Sequence, residues 1–338
     1  MLLLLLILSL SLGQLGRLEI SPGIVIYVHD LLVILLLIFH LPKIKTFSTP
    51  LTRPILAFIL IAAVSLLVAL WHYPPLQVLT GSLYLLRFLA YALVYFVARR
   101  AANKPQLLRW LSLTGLAVAV TGLLQYWLIP DTRFLYNLGW DEHYYRLIGT
   151  FFDPNFTGIF MVLTLILLWP SPLSFLPFAA LLLTYSRSSY LAFLITLITL
   201  LIRKHKLLLL VSCFLFLVIL LSLPRPGGEG VKLERLYSLT NRLDSMKTGW
   251  EVFRRHPITG VGFNLLHGMD NSFIFILATT GISGFLAYLW LLKKQLEVSQ
   301  LDARRYTLVA IIIHSLFNHT LFYAPVMLWL WLLLALND

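Results

Sequence analysis

Apolar runs of roughly 15–20 residues recur along this chain of 338 residues, separated by short, mostly basic loops. Within lipid every backbone polar group must be satisfied internally, so such runs can fold only as helices or as a closed barrel. The runs lack the alternation of barrel strands and read as helices. Only 12% of residues are charged, about half the share usual in soluble domains, which is near 25%. The expected fold is an all-α polytopic membrane protein, residues 1–338 forming one membrane domain. We expect about twelve transmembrane helices, near 2–15, 22–41, 54–71, 80–98, 107–129, 155–169, 172–185, 188–202, 206–223, 271–292, 306–321 and 322–336. The first lacks a basic start and a small-residue cleavage site, so it reads as a retained helix.

Loop charges orient these spans. One set of alternate loops carries Lys43, Lys45, Arg53, then Arg99, Arg100, Lys104, Arg109, then Arg203, Lys204, Lys206, then Lys293, Lys294, Arg304, Arg305. The opposite short loops carry mainly Arg17, Arg133, Arg146 and Arg187. The positive-inside bias places both termini in the cytoplasm. The net charge of +12 therefore reads as topology and contact with anionic membrane lipids rather than as nucleic-acid binding. Cys213 is the only cysteine. That excludes a disulfide framework and a cysteine metal cluster, and reads as a small buried hydrophobe.

One long polar segment interrupts the apolar runs. The loop 224–270, between spans nine and ten, is expected to face the extracytoplasmic side. It includes the island from Asn241 to Phe275. From Leu243 to Arg255 the pattern predicts an amphipathic helix, with Met246, Trp250 and Phe253 at helical spacing. It reads as a helix lying on the membrane surface or as a lid over a lipid substrate. Pro257, Gly260 and Gly262 end it. The sequence carries no Walker loop, no nucleotide-sugar-binding domain and no nucleophile elbow. An enzyme working on that face lacks ATP and nucleotide sugars and must use a substrate already activated, such as a lipid-linked one.

Several ionisable residues sit where charge is costly. Asp30 and Arg87 are expected about two turns below the outer face. They read either as a mutual ion pair or as direct substrate contacts. Arg146 and Arg187 lie against the charge bias at the outer side. Converging guanidinium groups suit a pyrophosphate, because the planar fork matches phosphate oxygens. Helix starts at Asn155 and Ser188 offer backbone N–H donors beside them. The long loop adds Arg235, Arg242, Lys247, Arg254, Arg255, His256, His267 and Asp270. His314, His319 and Asn318 read as interhelical hydrogen-bonding groups. No histidine and carboxylate cluster has metal-ligand spacing, so neither a metal nor another cofactor is expected.

Four segments in order resemble the O-antigen ligase family, membrane ligases and polymerases of lipid-linked glycans. Arg146-x-x-Gly149 running into Asp153-Pro154-Asn155 resembles its R-x-x-G…P-N segment. Thr184-Tyr185-Ser186-Arg187-Ser188 resembles its T-x-S-R junction. Arg242 with Trp250, then His256-Pro257-Ile258-Thr259-Gly260-Val261-Gly262, resembles its loop end. Asp270-Asn271, with Gly281 and Gly284, resembles its H-N-x9-G-x-x-G signature. The resemblance implies a metal-independent, inverting glycosyltransferase. Its donor would be an undecaprenyl-diphosphate-linked glycan, and its acceptor a hydroxyl of a glycan, lipid or protein. It makes Arg146, Arg187 and Arg242, joined by Arg87, the diphosphate-binding candidates. Asn155, Asn271, Gly281, Gly284 and Asp30 become supporting residues. The family's base is a histidine, and Asp270 stands at its position. Asp270 can serve as base, His267 can replace it, or the chain is an inactive lipid-glycan binder. Asp270 also reads as an N-cap. A polytopic transporter or flippase of a lipid-linked or anionic substrate is the competing class, although the sequence shows no convincing internal repeat.

Overall fold

The computed structural model describes residues 1–338 except 22, 45, 102, 203–205, 225, 300–302 and 337–338. Lys45, Arg203 and Lys204, three of the charges used for orientation, lie outside the described residues, as does the side chain of Lys206. Thirteen α-helices run along the described chain. They are α1 Leu2–Ser9, α2 Val28–His40, α3 Thr52–Ala69, α4 Pro75–Ala98, α5 Lys104–Leu128, α6 Pro154–Leu168 and α7 Phe175–Leu183. After these come α8 Arg187–Leu201, α9 Lys206–Ser222, α10 Tyr237–Arg255, α11 Ser272–Val298, α12 Ala303–Ser315 and α13 Ala324–Ala335. Four of them, α3, α4, α5 and α11, are long and apolar enough to cross a membrane. Shorter apolar helices fill the spaces between them. The chain is an integral membrane protein, nearly all-α.

The start of the chain departs from the expected pair of helical spans. Gly13 kinks the 3-10 turns that follow α1, at φ 51°. The chain then forms an antiparallel hairpin, β1 Arg17–Ser21 with β2 Ile24–Tyr27. The run Ile24-Val25-Ile26 is β-branched, and Gly23 supplies the positive φ of the turn, so a strand wins over helix locally. As a result α2 begins only at Val28. Asp30 sits in its first turn, not two turns deep, and its carboxylate accepts the Tyr27 backbone N–H at 2.9 Å. The expected pair with Arg87 is present, with Nη2 2.8 Å from Oδ2. Arg87 Nε donates to the other carboxylate oxygen at 3.1 Å. Tyr91 donates to the same oxygen at 2.5 Å. Cys213, on α9, is half-buried rather than buried.

The helix α13 is too short to span a bilayer at about 18 Å, since each residue rises 1.5 Å. Every residue in it is buried. A helix apolar on all sides belongs inside a bundle, and α13 packs there against α4 and α12. Trp329 meets Phe160 edge to face, with ring centroids 4.7 Å apart. Trp331 reaches Phe88 and Tyr95 of α4.

The helix α11 is broken at Gly281, where φ is 68°. The break frees helical carbonyls, and the segment 257–263 satisfies them. Val261 N donates to Ala278 O and Gly262 N to Thr279 O, both at 3.0 Å. Ile282 N turns outward to Pro257 O at 2.8 Å. Phe263 N continues to Ser65 Oγ of α3 at 3.1 Å. Contact this close requires glycine on both sides. A Cβ on Gly281 would lie 2.2 Å from Ile258 O, and one on Gly260 would lie 2.3 Å from the Thr279 carbonyl carbon.

Two outcomes test this packing. Gly281→Ala combines left-handed strain with a backbone clash and should cost about 3 kcal/mol or more. Gly268→Ala, also at positive φ but with nothing within 4 Å of the new Cβ, should cost only about 1–2 kcal/mol. Thermal unfolding in detergent compares them. Truncating Asp30 or Arg87 alone should cost about 3–5 kcal/mol, and truncating both little more than the worse single change.

Candidate functional site

The segment carrying Arg146 is held from three directions. Gln125 of α5 accepts the amides of Ile148 (3.0 Å) and Gly149 (3.2 Å) through Oε1. Thr157 of α6 donates to Ile148 O at 2.5 Å. Leu147 N donates to Leu183 O at the end of α7. Arg146 is 6% exposed. Its Nε donates to Thr184 O at 2.9 Å, while Nη2 is buried without a hydrogen-bond partner. A buried guanidinium donor without an acceptor is costly. Burial, reinforced by Arg235, holds this guanidinium down to about 9.

Two expected helix starts lie one step earlier than predicted. Asp153 caps α6, accepting Asn155 N (2.6 Å) and Phe156 N (3.1 Å). Ser186 caps α8, with its Oγ accepting from Ser189 N and donating to Asn155 Oδ1 at 2.9 Å. These amides are therefore engaged within the protein. Asn155 joins the two helix starts.

Arg187, the first residue of α8, reaches over the long loop. It donates to Leu233 O at 3.0 Å and to Ser238 Oγ of α10 at 2.7 Å. Arg235 reaches back to Tyr185 O at 3.0 Å. The two arginines stitch the loop to the α7–α8 junction. Backbone strain concentrates here. Tyr145, Phe152 and Tyr185 have φ of 52°, 55° and 51°, and each adjoins a site residue or its cap. Non-glycine residues in this region are held only where the surroundings force them, often at functional sites.

The amphipathic helix begins at Tyr237, six residues earlier than expected, because Ser238 and Arg242 continue its inward face. That face then runs through Ser245, Met246, Gly249, Val252 and Phe253. At Gly249 α10 packs against α11, where a Cβ would lie 2.5 Å from Ile274. Trp250 lies half-exposed to one side. Arg242 points inward, with Nη2 3.3 Å from Asn318 Oδ1.

Asp270 follows the loop and precedes α11. Its backbone N–H donates to Ser245 Oγ at 3.1 Å. The cap of α11 is Asn271 instead, accepting from Phe273 N (2.8 Å) and Ile274 N (3.0 Å) while Nδ2 donates to Leu316 O. The Asp270 carboxylate is thus released from capping. Burial pushes it above the usual carboxylate range, against the opposing pull of Arg242. Arg242 is itself lowered by burial, with Asp270 opposing. His267 is exposed.

Arg146 therefore lies within electrostatic reach of Arg235, Arg242 and Asp153, Arg187 within reach of Arg235 and Arg242, and Asp270 within reach of Arg242. Arg87 does not join them. Its charge is answered by Asp30 and lies over the rings of Tyr27 and Tyr84. Sequence reasoning named Arg235 without placing it in the site, and missed His143. That histidine is buried with Nε2 unpartnered. Burial, with Arg146 and Arg235 adding to it, drives it down to about 3, so it is neutral at pH 7.

This geometry coincides with a family match. Residues 172–289 match the family model described as O-Antigen ligase. That stretch is similar to the O-antigen ligase family. It contains Arg187, Arg235, Arg242, Asp270 and both halves of the α11 break, while Arg146 lies upstream of it. No curated protein matched the chain.

The division of labour at the α11 start is testable. Asn271→Ala should destabilise by about 1–2 kcal/mol through loss of the cap. Asp270→Asn should leave the melting temperature at pH 7 unchanged or raised. The sign follows from linkage. A carboxylate raised in the folded state favours folding below its unfolded pKa, and that contribution is lost as pH rises through the folded pKa.

Proposed function

We propose that this protein transfers a glycan from a polyprenyl-diphosphate donor, of the undecaprenyl type, to an acceptor hydroxyl. The broad activity, an O-antigen ligase-like or polymerase-like glycosyltransferase, is supported by the family match. The observation that carries the finer reading is the buried, unpartnered Nη2 of Arg146, near Arg235 and Arg242, with Arg187 beyond Arg235. A diphosphate supplies the acceptor oxygens and negative charge that this group lacks.

In this reading the arginines neutralise the diphosphate as it leaves, a form of transition-state stabilisation. Asp270 accepts the proton of the acceptor hydroxyl. The hydroxyl oxygen bonds to the anomeric carbon as the bond from that carbon to the phosphate oxygen breaks, and attack opposite the leaving group inverts the centre. The raised pKa suits Asp270 to this task. Arg87, committed to Asp30, supports the helices rather than the donor. The helix α10 acts as a cover over the site, and the loop 224–270 lies on the extracytoplasmic side of the inner membrane with both termini cytoplasmic. The transporter reading gains nothing from the break in α11, because Ala278 O and Thr279 O are already occupied by loop amides.

Purified protein given a polyprenyl-diphosphate-linked glycan and an acceptor should release free polyprenyl diphosphate and form an inverted linkage. Arg146→Ala and Asp270→Ala should each lower the rate by about 100-fold or more. Full activity of Asp270→Ala would remove it as the base. The acid limb of the wild-type rate profile should lie above the ordinary carboxylate range. Arg242→Ala should move that limb to still higher pH, since Arg242 opposes the upward shift of Asp270.

A further inference from the structure

Behind Arg242 lies a second polar cluster, built in the turn where α12 ends and α13 has not begun. Asn318 in this turn is 5% exposed, and His314 and Thr320 are fully buried. Arg242 Nη2 donates to Asn318 Oδ1 at 3.3 Å. A guanidinium can only donate, so the amide atom facing it must be the oxygen. Asn318 Nδ2 then faces Ser188 Oγ at 2.8 Å and His314 Nε2 at 3.2 Å. An amide N–H also only donates, so toward Asn318 His314 Nε2 is the acceptor, while the Ser188 and Ser189 hydroxyls, each 3.2 Å from the same nitrogen, rotate to suit. The imidazole proton is left on Nδ1, which meets Thr320 Oγ1 at 2.6 Å. The orientation of one amide thus selects a tautomer through three side chains, with the hydroxyls of Ser188, Ser189 and Thr320 able to follow it.

The same turn holds the start of α11. Ser272 Oγ donates to Asn318 O at 3.1 Å, and Asn271 Nδ2 donates to Leu316 O at 2.8 Å. Arg242 on the cover, Ser188 beside Arg187, and the residues just after Asp270 therefore meet on a single turn. Aspartate at 318 would attract Arg242 more strongly but offer no N–H to Ser188 or His314. An apolar residue would remove the acceptor facing Arg242 and leave Ser188 and His314 only the neighbouring serine hydroxyls and Thr320 as partners.

We propose that Asn318 is a positioning residue. Its amide aims the Arg242 guanidinium at the donor diphosphate and locks His314 as the neutral Nδ1–H tautomer. The choice of ligand rests on the glycosyl-transfer reading above. The amide orientation and the tautomer do not.

Two measurements on the full chain in nanodiscs test this. In protein labelled with 15N-histidine, with the His314 signals assigned by their loss in His314→Gln, the wild type at pH 7 should show one protonated nitrogen, Nδ1. Asn318→Asp should convert His314 to the doubly protonated form. A wild-type Nε2–H tautomer or imidazolium would overturn the proposal. Binding of geranylgeranyl diphosphate is the second readout. Arg242→Ala and Asn318→Ala should each weaken it by about tenfold or more, as loss of a hydrogen bond to a charged group does. The double variant should bind no worse than Arg242→Ala alone. Additive losses would overturn the positioning role while leaving the transfer reading intact. If the wild type binds no diphosphate, the transfer reading falls together with the aiming role, and the spectra alone decide the tautomer lock. Asn318→Asp serves in both measurements if Asn318→Ala does not fold.

Discussion

The site depends on backbone-to-backbone pairing between the segment 257–263 and the broken middle of α11. The loop amides take the carbonyls that the break exposes, which is the only kind of irregular backbone a membrane interior tolerates. This junction fixes the far end of the polar loop, and α10 precedes it directly. The start of α11, and so Asp270, follows it. Gly260 and Gly281 are the condition for this contact, because neither backbone leaves space for a side chain on the other.

On that frame the arginines fall into two kinds. Arg187 and Arg235 each reach a backbone carbonyl across the α7–α8 junction and bind the loop to the bundle. Arg146 and Arg242 are held by one hydrogen bond each, to Thr184 O and to Asn318 Oδ1. The first pair ties the loop down, and in the second pair Arg146 keeps a buried donor unengaged.

Apolar run length made the membrane class legible in the sequence, and the family segments made the site legible in outline. The opposite charges of Asp30 and Arg87 were enough to anticipate their pairing. Other features were hidden for identifiable reasons. The first strand of the hairpin, Arg17–Ser21, fell in the short loop between two expected spans, and the run Ile24–Tyr27 is too short for periodicity to separate strand from helix. The inward position of Arg242 depends on where α10 begins, and Tyr237 gives no capping signal. The release of Asp270 from capping was ambiguous because Asp and Asn are equally good caps and stand side by side. The role of Asn318 depends on atoms contributed by α8, α10 and α12, which no local pattern links.

The burial of α13 has a consequence for assembly. This helix follows the other twelve along the chain, yet its partner α4 is made early. During synthesis the earlier helices must wait in the bilayer with their inner surfaces unfilled, Phe88 and Tyr95 among them. The turn at 316–323, which organises the polar cluster, is also made late. Order around Arg242 is thus tied to this late turn, and until the turn is made Arg242 lacks Asn318.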